Sequence, residues 1–322
     1  MSEDSNTRSP KTLADVSHLF FSGAVASRDE SAEDSDEFSA DTLAGDSQPD
    51  AAPAKPGHTA GDDPRAARRP GPWSPTRVFV VTGGAGRPGK STVAVNVAQV
   101  MTSRGRAALY DADPRIPNAR FYLGLPSWNY LSPLTGEGEP APNVLADSGL
   151  LVVDGTRDSG TLERGAGGGT TLSFELPSGD ACPVDLVVVD CPVARAIEVA
   201  RSGIGRSLET QFVVVAGPRE RGFLEGYAAL AALARDAGIR SAALVVNRAL
   251  STSYARAFHA KMKSAAERLL SVELVLLGGV VNEPGLGALQ RERGVVVRSR
   301  PDATSALLLR EIASNALGLR EA

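Results

Sequence analysis

Val78-Phe79-Val80-Val81-Thr82-Gly83-Gly84-Ala85-Gly86-Arg87-Pro88-Gly89-Lys90-Ser91-Thr92 is the stretch that decides the fold of this 322-residue chain. Its first four residues are an apolar, mostly β-branched run, as expected of a strand covered on both faces of a parallel sheet. Gly84 to Ser91 then fits the pattern G-x-x-x-x-G-K-[ST], and Ser91-Thr92-Val93-Ala94 opens a helix. Glycines in such a turn let successive backbone N–H groups converge on one anion, and the helix N-terminus adds partial positive charge. Lys90 is placed to reach the β- and γ-phosphates, and the Ser91 hydroxyl to sit on Mg²⁺. The expected cofactors are ATP and Mg²⁺, and the expected cradle is Gly84, Ala85, Gly86, Arg87, Pro88, Gly89, Lys90, Ser91 and Thr92. The competing reading is a glycine-rich turn that merely enters a helix. The strand before it argues against that, as does Lys90, the sole lysine between Lys55 and Lys261.

Outward from this loop, strands and helices alternate. Val-rich runs predict strands over 77–82, 107–110, 150–153, 186–190, 212–216, 242–246 and 273–277, with helices over 91–104, 223–237 and 254–270. Right-handed crossovers assemble such a series into an α/β, doubly wound, mostly parallel sheet with helices on both faces. Two connections are long: 126–148, and 158–183 with its glycine run Gly165 to Gly169. Long loops in compact domains are often functional or mobile. Open α/β sheets build their sites at the carboxyl ends of the strands, where magnesium finds carboxylates. Asp111 and Asp113 close one strand and Asp190 closes another. Asp190 is expected to hold a magnesium-bound water, and Asp113 to position magnesium or the attacking water. Each could instead be a strand-end Asp capping a turn.

Residues 1–74 differ from the remainder. They carry 14 Asp/Glu against 7 Lys/Arg, a net −7 within a chain of net −4. Their acidic runs and Pro/Ala/Gly-rich stretches cannot bury enough apolar surface to offset ordering entropy, so this segment reads as a disordered acidic tail preceding a P-loop domain over 75–322. One island, 12–21, begins with a capping-box-like Thr12-Leu13-Ala14-Asp15 and places Leu13, Val16 and Phe20 on one helical face. It is either a short helix or chance cluster, or a segment that docks a protein partner. The overall charge gives no specific nucleic-acid signal. Cys182 and Cys191 form neither a disulfide framework nor a metal pattern, no apolar run is long enough to span a membrane, and no signal peptide is visible, so a cytoplasmic setting is expected.

Taken together, Thr82 to Ala98, Tyr110 to Leu125 (YDADPRIPNARFYLGL), Asp185 to Pro192 (DLVVVDCP) and Val245-Val246-Asn247-Arg248 resemble the MinD/ParA group of P-loop ATPases, and within it the MinD-like branch of the FlhG/FleN flagellar-number regulators. The likeness extends over residues 77–317. It implies an ATPase that forms a homodimer when ATP-loaded, separates after hydrolysis and acts as a positional switch. It also implies that Asn247 reads the adenine, with Arg248 beside the base; a strand-end turn residue is the alternative for Asn247. Peripheral contact with the inner membrane face comes from the resemblance alone, since no strong C-terminal targeting helix is present. The group usually carries a lysine at the position of Ala85 and glycine at those of Arg87 and Ala194. Arg87 could act as a charge clamp across a dimer, because guanidinium binds phosphate bidentately.

Two other functions compete. A nucleotide-binding recruitment module with little or no hydrolysis would explain Ala85 and Ala194. A tyrosine-kinase-like P-loop domain would explain Asp111-Ala112-Asp113-Pro114-Arg115-Ile116-Pro117, but the last tyrosine is Tyr254, so a C-terminal tyrosine cluster is missing. An iron–sulfur reductase is disfavoured because Cys182 and Cys191 lie too close in sequence.

Overall fold

The computed structural model describes residues 76–86, 88–113, 119–125, 143–155, 160–164, 170–176, 178–284 and 295–318. The acidic tail with its 12–21 island, Arg87 of the phosphate loop and the glycine run 165–169 lie outside these residues. In chain order, the first half comprises β1 (Arg77–Gly83), α1 (Lys90–Met101), β2 (Ala107–Asp111), α2 (Ala119–Tyr122), β3 (Asn143–Leu145), β4 (Leu151–Asp154), β5 (Thr161–Arg164), β6 (Thr170–Glu175), β7 (Ala181–Val184) and β8 (Leu186–Asp190). The second comprises α3 (Val193–Arg201), α4 (Gly203–Ser207), β9 (Glu209–Ala216), α5 (Glu220–Ala237), β10 (Ser241–Ala249), α6 (Thr252–Ala265), β11 (Glu273–Val281), α7 (Val296–Ser299) and α8 (Thr304–Ala316).

Eight strands join in the order β11-β10-β9-β1-β8-β2-β4-β3. Every neighbouring pair is parallel except β3 with β4. The seven strands read from the sequence are all present, because their Val-rich runs have no polar face to leave in water. Phe79 and Val81 of β1 join a core with Val93, Val97 and Met101 of α1 and Leu309 and Ile312 of α8. Alternation turns Val78 to the opposite face, where it meets Val199 of α3 across a small cavity. Helices therefore cover both faces, as a doubly wound sheet requires.

The connection 158–183 departs from the expected long loop. It contains β5, β6 and β7, which pair antiparallel in a three-stranded sheet of their own. Leu172 and Phe174 of β6 are buried while Glu175 is exposed. Thr171 and Ser173 are buried as well, so β6 is covered on both faces, and so short a run beside glycines carries little sequence signal. Thr76 ties the added sheet to the start of β1: its N–H donates to Thr170 O (3.1 Å), its hydroxyl donates to Val184 O (2.6 Å) and accepts from Leu172 N (2.9 Å). The 126–148 connection likewise carries the short β3. Helix α5 begins three residues before the expected 223, and the expected helix 254–270 is α6 continued by a π-helical turn, Ala266–Leu270.

Candidate phosphate-binding site

Parallel pairing brings the ends of β1, β2, β8 and β10 to one edge. Val81 is in register with Asp190, and Asp190 with Asp111. The chain leaves β1 through Gly84, Ala85 and Gly86 and enters α1 at Lys90, so the phosphate loop hangs over the middle of that edge. Gly89 has φ 84°, the left-handed region that favours glycine, and a Cβ there would lie 2.2 Å from Asn247 Nδ2. Only glycine fits both constraints.

Asn247, at the end of β10, is buried, and its amide donates to Pro88 O at 2.8 Å while its Oδ1 accepts from Arg248 N at 3.0 Å. The side chain thus pins the phosphate loop to β10. Arg248 is exposed and sits at φ 57°, an uncommon setting for a side chain of this size. On the other flank, Gly86 N donates to Glu225 Oε2 of α5 at 2.8 Å, and Glu225 Oε1 accepts from Arg221 Nε at 2.8 Å. Glu225 is absent from the sequence-based site, although a carboxylate inside the apolar run Phe223-Leu224-Glu225-Gly226-Tyr227 was a readable signal.

Asp190 is almost fully buried, and neither carboxylate oxygen has a hydrogen-bond partner among the described residues. Burial pushes its pKa up to about 6; the Ser91 hydroxyl and the Lys90 ammonium favour the charged form, and Asp113 opposes it. Ser91 stands near enough to act on the carboxylate, yet in a geometry that leaves both oxygens unpartnered. Lys90, Ser91, Asp113 and Asp190 are therefore neighbours at the loop, as the sequence suggested. Two buried oxygen atoms with no donor, beside a hydroxyl and an ammonium, suit a hydrated divalent cation, whose ligands are oxygens. The residues present fit Mg²⁺ and a nucleotide phosphate.

Asp111 was read only as a strand end, but it is the more perturbed carboxylate. Burial and the Asp190 charge raise its pKa to about 8, against hydrogen bonds from Ala119 N (2.9 Å) and Asp113 N (3.4 Å). It fixes the backbone at Asp113 and at the start of α2. From α2, Tyr122 reaches Thr92. Cys191 is fully buried next to Asp190, with its thiol driven upward by burial, which makes it an inert filler. Tyr254 is held in the body of the domain at the start of α6, where its hydroxyl donates to Pro218 O.

Comparison with known proteins follows the same lines. No protein-family model matches the chain. The antiactivator FleN of Pseudomonas aeruginosa is 26% identical over 249 residues, covering 76% of this chain and 87% of FleN. The flagellum site-determining protein YlxH of Helicobacter pylori is 24% identical over 237 residues, covering 70% of this chain and 77% of YlxH. The cell division ATPase MinD of Pyrococcus furiosus superposes with a TM-score of 0.50 at 18% identity, over 76% of this chain and 99% of MinD. The MinD cell division protein of Aquifex aeolicus gives 0.50 at 17% identity, over 77% and 99%. Sequence and fold agree with the edge geometry: the chain is similar in sequence to FleN and YlxH and shares its fold with the MinD proteins.

Proposed function

We propose that this chain binds and hydrolyses ATP and uses the bound state as a switch, forming a homodimer with ATP and positioning or regulating a cellular structure. One observation carries the reading: a buried Asp190 carboxylate, without a hydrogen-bond partner among the described residues, beside Lys90 and Ser91 under a glycine loop. Phosphoryl transfer to water needs positioning and charge neutralisation more than covalent chemistry. The loop amides and Lys90 supply both to the β- and γ-phosphates, and Asp113 orients the attacking water. Ser91 and Asp190, with Asp113 alongside, would hold Mg²⁺, which when bound neutralises phosphate charge. Asn247, already fastened to Pro88, keeps one amide hydrogen and one oxygen lone pair for adenine, and exposed Arg248 lies beside the base. Residues 1–74 act as a tail whose 12–21 island docks a protein partner.

Single-turnover hydrolysis of ATP, with light scattering before and after ATP addition, tests this. Phosphate release that Asp113→Ala abolishes, together with a mass doubling on ATP, is the expected outcome. Ala85 and Ala194 favour a second reading, a recruitment module that holds ATP without turning it over. Tight binding with hydrolysis at background would select that module and reject the switch.

A further inference from the structure

The phosphate loop enters the site through Gly84, Ala85 and Gly86, three residues whose side chains offer nothing to anchor them. Helix α5 supplies the anchor. A Cβ on Gly84 would lie 2.3 Å from Glu225 Cβ and 2.9 Å from its backbone carbon, so α5 is pressed directly on the loop. At the same point the Glu225 carboxylate accepts the Gly86 N–H at 2.8 Å. Its other oxygen accepts from Arg221, one helical turn earlier, at 2.8 Å. Glu225 is mostly shielded (21% exposed) and Arg221 is open to solvent (83%).

A carboxylate on a loop built for anions is an unexpected choice. Its negative charge opposes an incoming triphosphate unless a cation accompanies it. The geometry points to Glu225 as a positioning residue of the phosphate loop, holding the Gly86 amide in place, with Arg221 cancelling the charge that would otherwise repel the nucleotide. The pair supplies a geometric hold without an electrostatic penalty. This rests on the nucleotide-binding reading above.

The test uses the full chain and measures Kd for ADP and for ATPγS with Mg²⁺. Hydrogen bonds to charged groups have the strength to make Glu225→Ala weaken both nucleotides about tenfold. Glu225→Gln keeps an acceptor oxygen and is expected within about threefold of the unmodified protein. Arg221→Ala exposes the carboxylate and is expected to weaken ATPγS more than ADP, a loss that disappears in the Arg221→Ala/Glu225→Gln double variant. Amide exchange across 83–92 in the nucleotide-free protein should quicken in Glu225→Ala and not in Glu225→Gln. Unchanged affinity in Glu225→Ala, equal losses in Ala and Gln, or an Arg221 effect that persists in the double variant would each overturn the role. If Glu225→Ala does not fold, the Gln and double variants decide alone. An unmodified protein that binds no nucleotide removes the underlying reading and this role with it. Intact binding with an indifferent Glu225 removes only the role.

Discussion

At the level of single residues, Asn247 shows how one side chain serves the fold and the site together. Its bond to Pro88 O is buried, and losing such a bond leaves the carbonyl without a partner at a cost of about 1–3 kcal/mol. Asn247→Ala is therefore predicted to destabilise the nucleotide-free protein by about 1–2 kcal/mol in urea denaturation, and to weaken nucleotide binding as well. A residue that only read the base would change affinity and leave apo stability alone. Gly89→Ala meets both a positive φ and the Asn247 amide, so it should reduce nucleotide binding more severely than Ala85→Gly. Lys90, Ser91, Asp113 and Asp190 were legible in the sequence because the motif and the strand ends fix their positions. The contacts of Glu225 with Gly86 and of Asn247 with Pro88 were not, since each joins residues more than a hundred positions apart; the carboxylate in the apolar run of Glu225 marks that residue but not what it touches.

Among the elements, strands were read more surely than the connections. Val187-Val188-Val189 has one physical solution, a strand covered on both sides, whereas the antiparallel sheet of β5 to β7 hides in four- to six-residue runs around Gly165 to Gly169. The joint where β2 and β8 begin is fastened by Asp185. It accepts from Arg106 Nη2 (2.9 Å), Arg106 Nε (3.2 Å) and the Arg106 backbone N–H (2.9 Å). Burial raises the Asp185 pKa, but these hydrogen bonds and the guanidinium charge outweigh it and hold the group below its ordinary value. A depressed folded-state pKa gives stability that is present above the unfolded value and lost as pH falls through the folded one. Asp185→Asn should therefore cost about 1–2 kcal/mol at pH 7. The difference should shrink as pH falls below the ordinary aspartate value of 3.8, in urea melts at neutral and acidic pH.

Over the whole molecule, the sheet gathers two buried carboxylates that repel each other. Asp111 and Asp190 have folded-state pKa values raised to about 8 and about 6, above the ordinary 3.8. Raised carboxylate pKa values mean that the folded state binds more protons. Their contribution to stability is therefore greatest below the unfolded value and declines as pH rises through the folded ones. The nucleotide-free protein is predicted to lose thermal stability between pH 5 and 8.5 in differential scanning calorimetry, with Mg²⁺ and ADP flattening the curve. Asp111→Asn should flatten it without any cation. A slope that Asp111→Asn leaves unchanged would assign the loss to other groups.

The central claim is that Lys90 and the amides around it enclose the phosphates of a purine nucleotide. Isothermal titration of the unmodified chain and of Lys90→Ala with Mg²⁺ and ATPγS addresses it directly. The account predicts saturable binding of one nucleotide per chain that Lys90→Ala abolishes while its melting temperature is preserved. Absence of binding by the unmodified chain, or equal binding by both proteins, would contradict it.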